Sequence, residues 1–157
     1  FKKEFCDIVN DLIKKKCDNK ENSGWTVDYD YDYKYLGLYH KTWCSSKNDT
    51  YEFWFGYEEM ISRLYCELWI ENVNKISKSK MEKVDKYGEE NIKLFNDYNG
   101  NKDCWWKYLP YNFEEITTLK KILPNKRNSF AQILCDKLFD DAETIKVDVS
   151  KMYKIIS

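Results

Sequence analysis

Apolar positions along the chain change their period several times, and each change marks a new element. In FKKEFCDIVNDLIKK, Phe1, Phe5, Ile8, Val9, Leu12 and Ile13 recur at helical spacing with lysines and acids between them. That predicts an amphipathic helix over roughly residues 1–17, ended by the polar CDNKENSG. WTVDYDYDY then alternates strictly, with Trp25, Val27, Tyr29 and Tyr31 against Thr26, Asp28, Asp30 and Asp32, the period of a half-buried strand. YLGLYHKTW reads as a second strand, and SSKND as a turn before Tyr51.

The stretch YEFWFGYEEMISRLYCELWIEN, residues 51–72, divides into two strands of an antiparallel hairpin. Tyr51, Phe53, Phe55 and Tyr57 share one face of the first strand, and Glu52, Trp54 and Glu58 share the other. In the second strand Leu64, Cys66, Leu68 and Ile70 oppose Arg63, Tyr65, Glu67, Trp69 and Glu71. Phe53, Phe55, Leu64, Leu68 and Ile70 are therefore expected in one core. The reverse face keeps Trp54, Tyr65 and Trp69 among carboxylates, expected as one aromatic cluster. At ~150–250 Å² each, these side chains exceed what a monomer leaves exposed in one patch. Either a helix of the same chain covers them, or they form a binding surface rimmed by Glu52, Arg63 and Glu67.

Helical spacing returns from Ile76 to about Phe95, with Ile76, Val84, Tyr87, Ile92, Leu94 and Phe95 on one side. Glu82, Glu89 and Glu90 lie among Lys75, Lys78, Lys83 and Lys86 on the other side, so a salt-bridged solvent face is expected there in preference to a phosphate site. NDYNGNKD reads as a loop, and CWWKYLPY as a short strand ended by Pro110. Asn112 with Glu115 forms a cap before FEEITTLKKIL, which Pro124 stops. A last helix carries Phe130, Ile133, Leu134, Leu138 and Phe139. The expected fold is α+β, a mainly antiparallel strand meander packed with helices on one face, in a single domain over residues 1–157.

With 43% hydrophobic and 17% aromatic residues, 157 residues suffice for one core. Basic and acidic residues, 26 against 27, are interspersed, so charge gives no support to nucleic-acid binding. Cys6, Cys17, Cys44, Cys66, Cys104 and Cys135 include no C-x-x-C pair and are expected as reduced structural thiols, which favours a cytoplasmic location. There is no transmembrane-length apolar run and no signal-type start, and a first residue of Phe1 fits a segment of a longer protein.

Motifs for chemistry are incomplete, and no metal, cofactor or catalytic residue is expected. Asp28, Asp30 and Asp32 open like a calcium loop, but the positions needing glycine and glutamate hold Tyr33 and Tyr39. His40 is the lone histidine; its neighbours Tyr39 and Lys41 supply no carboxylate, although Asp28, Asp30 or Asp32 could reach it from the adjacent strand. A PD-(D/E)xK nuclease centre needs an acidic-x-Lys strand to hold Mg²⁺. In ENVNK the lysine, Lys75, lies four positions after Glu71, two beyond the place that an acidic-x-Lys pattern requires, and Asp32 with Lys34 lacks a preceding Pro-Asp.

LYCELWIEN, a following helix through KLFNDYNG, and WWKYLP together resemble an uncharacterised C-terminal accessory domain associated with PD-(D/E)xK-type bacterial restriction and phage-defence proteins. The resemblance spans roughly residues 1–111 and transfers no functional residue. It implies a non-catalytic recognition or regulatory module whose partner is a protein or a neighbouring nuclease domain. The alternative is a stand-alone binding protein, such as a phage or plasmid inhibitor acting through a protein interface.

Overall fold

In the computed structural model, which describes residues 1–19, 21, 24–32, 34–44, 52–95, 97–98 and 104–157, the hairpin of the sequence analysis lies at the centre of a six-stranded antiparallel sheet. Its strands are β3 (Glu52–Glu58) and β4 (Arg63–Glu71). β1 (Trp25–Asp30) and β2 (Tyr35–His40) extend the sheet on one side, and β6 (Cys104–Asn112) with the two-residue β5 (Asp97–Tyr98) on the other. The order is β1-β2-β3-β4-β6-β5. The helices are α1 (Lys2–Cys17), α2 (Lys78–Asn91), the single turn α3 (Ile116–Leu119) and the 30-residue α4 (Arg127–Ile156). The fold is α+β, as the change of periods predicts. Tyr33, the SSKND turn, Tyr51, the Cys104 side chain, and all but Asp97 and Tyr98 of NDYNGNKD lie outside the described residues.

Strict alternation fixes the hairpin register, because a slip of one residue would send every apolar side chain to the wrong face. Phe53 pairs with Ile70 and Phe55 with Leu68. Phe53, Phe55, Leu64 and Leu68 are completely buried and Ile70 nearly so. β2 adds Leu36 and Leu38 to the same face, and β6 adds Trp105 and Leu109.

Helix α4 closes this face. Phe130, Leu134, Leu138, Ala142, Ile145, Val149, Met152 and Ile156 repeat every three or four residues and are all buried. The Tyr57 hydroxyl donates to the Leu134 carbonyl at 2.8 Å, and the Trp43 indole donates to the Lys146 carbonyl at 3.1 Å. Helix α1 lies alongside, with Phe5 stacked on Phe130 at 5.2 Å and Lys16 bound to Asp136 at 2.6 Å. Helix α2 meets the sheet through Gly88, where an added Cβ would lie 3.0 Å from the Trp105 indole and the ring would have to shift to admit it.

Five sequence expectations are corrected. Pro110 does not end the strand CWWKYLPY, since β6 runs on to Asn112, which pairs with Arg63 across a register shift between Arg63 and Tyr65. The second helix covers Lys78–Asn91, not Ile76 to Phe95; Ile76 and Ile92 are buried in extended conformation, and Phe95 meets Phe55 edge-on at 6.1 Å. Burial continues past the helix while helical conformation does not. Part of the NDYNGNKD loop is strand, because Asp97 and Tyr98 pair with Trp106 and Trp105. Asn112 closes a turn, accepting from the Glu114 amide at 3.0 Å and donating to Glu115 at 3.2 Å, but the helix begins beyond both, at Ile116. Ile133 is exposed and lies outside the core.

Cys6, Cys66 and Cys135 are buried, Cys17 and Cys44 half-buried, and all five are free thiols. Burial pushes Cys6 up to about 12 and Cys66 up to about 11, so both are poor nucleophiles at neutral pH.

Phe55→Ala opens a cavity in the middle of this core and should cost ~3–5 kcal/mol. Urea unfolding monitored by circular dichroism measures the loss directly.

Candidate binding surface

The reverse face of the sheet carries the aromatic side chains that alternation singled out, and no described helix lies over it. Helix contacts go to the other face, through Tyr57, Trp25, Trp43 and Trp105. Of the two expected coverings, one of the chain's own helices is therefore not found among the described residues.

Cross-strand pairing arranges the face in rows. The central row runs Asp28, Gly37, Gly56, Glu67, Trp106 across β1, β2, β3, β4 and β6. Two glycines leave it without side chains at its middle. At Gly56 an added Cβ would sit 2.0 Å from the Leu36 carbonyl oxygen, so the backbone itself excludes any other residue. At Gly37 a Cβ would come 2.9 Å from the Trp69 ring and 3.0 Å from the Trp54 ring; both indoles lean over that bare backbone.

Two aromatic groups stand on either side of the bare middle of the row, the second including Trp106 of the row itself. Trp54 and Trp69, direct cross-strand partners, stack at 6.2 Å with their planes 13° apart, and Tyr39 meets Trp54 edge-on at 4.7 Å. Tyr65, Trp106 and Tyr108 form the second group, with centroids 5.0–6.1 Å apart. The Arg63 guanidinium lies 3.8 Å above the Tyr108 ring. The single cluster of Trp54, Tyr65 and Trp69 is thus corrected to two groups. Tyr65 and Trp69 are four residues apart on one strand, ~13 Å, which is too far for their rings to meet.

The predicted rim is also redistributed. Arg63 is at one end of the face, and Glu52 opposes Glu71 at the other. Glu67 is central, with Gly56 and Trp106 as its cross-strand partners, and it lines a cleft of about 300 Å³ with Tyr65, Trp106 and Tyr108.

A second cleft, of about 140 Å³, lies among Asp28, Tyr35, Trp54, Glu58, Trp69 and Glu71. The Tyr35 hydroxyl donates to Asp28 at 2.5 Å, and the Trp69 indole donates to Glu71 at 3.5 Å. Burial, helped by Glu67 and Glu59, pushes the Glu58 carboxyl up to about 7. The buried Trp54 indole nitrogen has no hydrogen-bond acceptor among the described residues. Sequence reasoning placed Asp28, Glu58 and Glu71 on strand faces but did not join them to this cleft, and it missed Tyr35, Gly37, Tyr39, Trp106 and Tyr108. The signal was available in the alternation of YLGLY and WWKY.

The other motifs do not assemble. His40 is buried on the helix side, with Nδ1 2.8 Å from Thr42 Oγ1, which is 2.6 Å from Ser150 Oγ; burial and the nearby Lys146 and Lys41 push its pKa down. Its acidic neighbour is Glu143 of α4, held by the Trp25 indole at 2.7 Å, and not an aspartate of β1. Asp30 accepts from the Asp32 amide and closes a turn. Lys75 falls in a short 3-10 turn beyond β4, and Lys34 sits in a turn at positive φ, 3.7 Å from Glu59. Among the described residues no three His, Cys, Asp or Glu side chains converge on one metal position.

Two outcomes follow. Trp69→Ala removes a half-exposed stack and should cost ~1–2 kcal/mol, well below the loss for Phe55→Ala. The folded chain holds the Glu58 proton more tightly than the unfolded chain, whose carboxyl has its ordinary value of 4.5, so this group lowers stability as pH rises from 4.5 to about 7. Glu58→Gln should therefore be more stable than wild type at about pH 8 and indistinguishable below about pH 4 in urea titrations.

No protein-family model matches the chain, and no curated protein or solved structure shows detectable similarity to it.

Proposed function

We propose that this chain is a non-catalytic recognition module that binds a protein partner through the open face of its sheet. One observation carries this reading: two packed aromatic groups, with Trp54, Trp69 and Trp106 half-buried, lie on a face that no described helix covers. Large aromatic side chains held by their neighbours lose little conformational freedom on binding, and they dominate the energetic centres of interfaces. Arg63 and Glu52, toward the ends of the face, supply the polar edge.

The resemblance over residues 1–111 makes a neighbouring PD-(D/E)xK-type nuclease domain, or another component of a defence protein, the first partner to try. Five free cysteines among the described residues suit a reducing, cytoplasmic setting. No described helix is long and apolar enough to cross a membrane.

A photo-crosslinking amino acid at Tyr108, 45% exposed on the open face, tests the surface against the same probe at Val147, 60% exposed on α4. The expected result in cells is a discrete adduct from position 108 that Trp106→Ala abolishes, with none from position 147. Adducts absent from 108, or identical from both positions, would overturn the recognition surface.

A further inference from the structure

We infer that the cleft beside Trp69 receives a lysine side chain of the partner protein. This deepens the recognition reading above and rests on it. The cleft's size is the first reason. At about 140 Å³ it is well below the roughly 300–1,000 Å³ of small-molecule sites, and it matches one extended side chain presented by a larger body.

The chemistry of the lining is the second reason. Of the six lining residues, Asp28, Glu58 and Glu71 are carboxylates, Trp54, Trp69 and Tyr35 are aromatic, and none is basic. A positive charge near an indole face is attracted by the ring quadrupole, and an aliphatic stem finds apolar surface on the same ring. Acids alone would suit many cations. Here, however, the carboxylates do not converge as a metal requires, and aromatic surface alternates with them. An organic cation with a hydrocarbon stem fits both halves of the lining.

The seating of the two indoles is the third reason. Gly37 places no side chain under the indoles, and the indoles lean over it at distances an added Cβ would not tolerate. The position of the rings over the sheet therefore depends on a bare residue 37, since any side chain there would push them outward.

Lysine is favoured over arginine by the origin of the acids. Asp28, Glu58 and Glu71 come from three different strands, β1, β3 and β4. An ammonium has three diverging donors and can address separated acceptors, whereas a guanidinium presents a planar fork suited to one carboxylate at a time. Both oxygens of Asp28 already accept hydrogen bonds, one from the Tyr35 hydroxyl and one from the Tyr29 amide, which leaves it less able to accept such a fork.

The test follows the indole N–H signals by NMR during titration with acetyl-Gly-Lys-Gly-amide, its norleucine isostere, its arginine counterpart and choline. The lysine peptide should shift the Trp69 signal saturably. The norleucine peptide should bind about ten-fold more weakly, the loss expected when one partly desolvated cation–π contact is removed. Glu58→Gln and Glu71→Gln should each weaken lysine binding several-fold, and the Trp54 signal should no longer respond in Trp69→Ala. The two glutamine variants keep the test valid if Trp69→Ala fails to fold. Equal binding of norleucine would mark the cleft as merely apolar; tighter binding of arginine would assign it to a guanidinium, and tighter binding of choline to a free quaternary amine. Each of these overturns the lysine assignment. If lysine fails while the Tyr108 adduct persists, the cation class falls and the recognition surface stands; loss of both removes both.

Discussion

Everything on the open face depends on how α4 is buried on the opposite one. Thirty helical residues span ~45 Å, enough to cross a sheet of this size and extend beyond it. The apolar stripe of α4 meets β3 through the Tyr57 hydrogen bond and the core aromatic residues, and both long neighbouring helices are fastened to its flanks. Helix α1 is joined through Lys16–Asp136 and Arg127–Glu4, and α2 through Tyr87–Asp148 and the Lys80 bond to the Ile156 carbonyl. Once α1 and α2 pack against α4, all three long helices are committed to one layer. The sheet's second face has no helix left to cover it among the described residues.

An uncovered face must satisfy water and still hold the sheet flat enough to pair. This one does so by packing aromatic rings against each other across strands. Stacked and edge-on pairs such as Trp54–Trp69 and Tyr65–Tyr108 stabilise neighbouring strands beyond their buried area. Acids set between the rings keep the surface hydrated, but Glu58 is caught among them and loses part of its own hydration. Its raised pKa is the electrostatic record of that compromise. Glu52 opposite Glu71 is a second instance, since like charges placed directly across a strand pair repel.

Period-two alternation made the hairpin legible, because it assigns each side chain to a face without reference to anything distant. Phe53, Phe55, Leu64, Leu68 and Ile70 were placed correctly for that reason. Neighbours across strands are another matter. Tyr65 contacts Trp106 and Tyr108 from β6, and Trp54 contacts Tyr39 from β2, through pairings that close long loops and leave no local mark in the sequence. The helical period after Ile76 misled for a related reason: Ile92, Leu94 and Phe95 continue to pack against the sheet after the backbone has left the helix, so burial outlasted the conformation it normally reports. The continuation of α4 past Phe139 could have been read from Ala142, Ile145, Val149, Met152 and Ile156, which keep the same stripe.

The two glycines of the central row connect the fold to the proposed binding. Gly56 is required by backbone proximity alone, because β2 and β3 approach too closely there for any Cβ. Gly37 is different, since what a Cβ would strike is the pair of indoles and not backbone. A sheet that needed only to be stable could accept a small side chain at position 37 with the rings displaced outward, gaining β propensity in exchange for a weaker stack. Keeping the position bare instead lowers both rings onto the sheet and sets them beside Glu58 and Asp28. The Glu58 carboxyl in that cleft is buried and raised to about 7, so its place there is a cost to the folded chain alone. A bound cation would gain from it, because it meets the buried carboxylate and the ring faces in one place. The same geometry that weakens the isolated domain thus favours the complex.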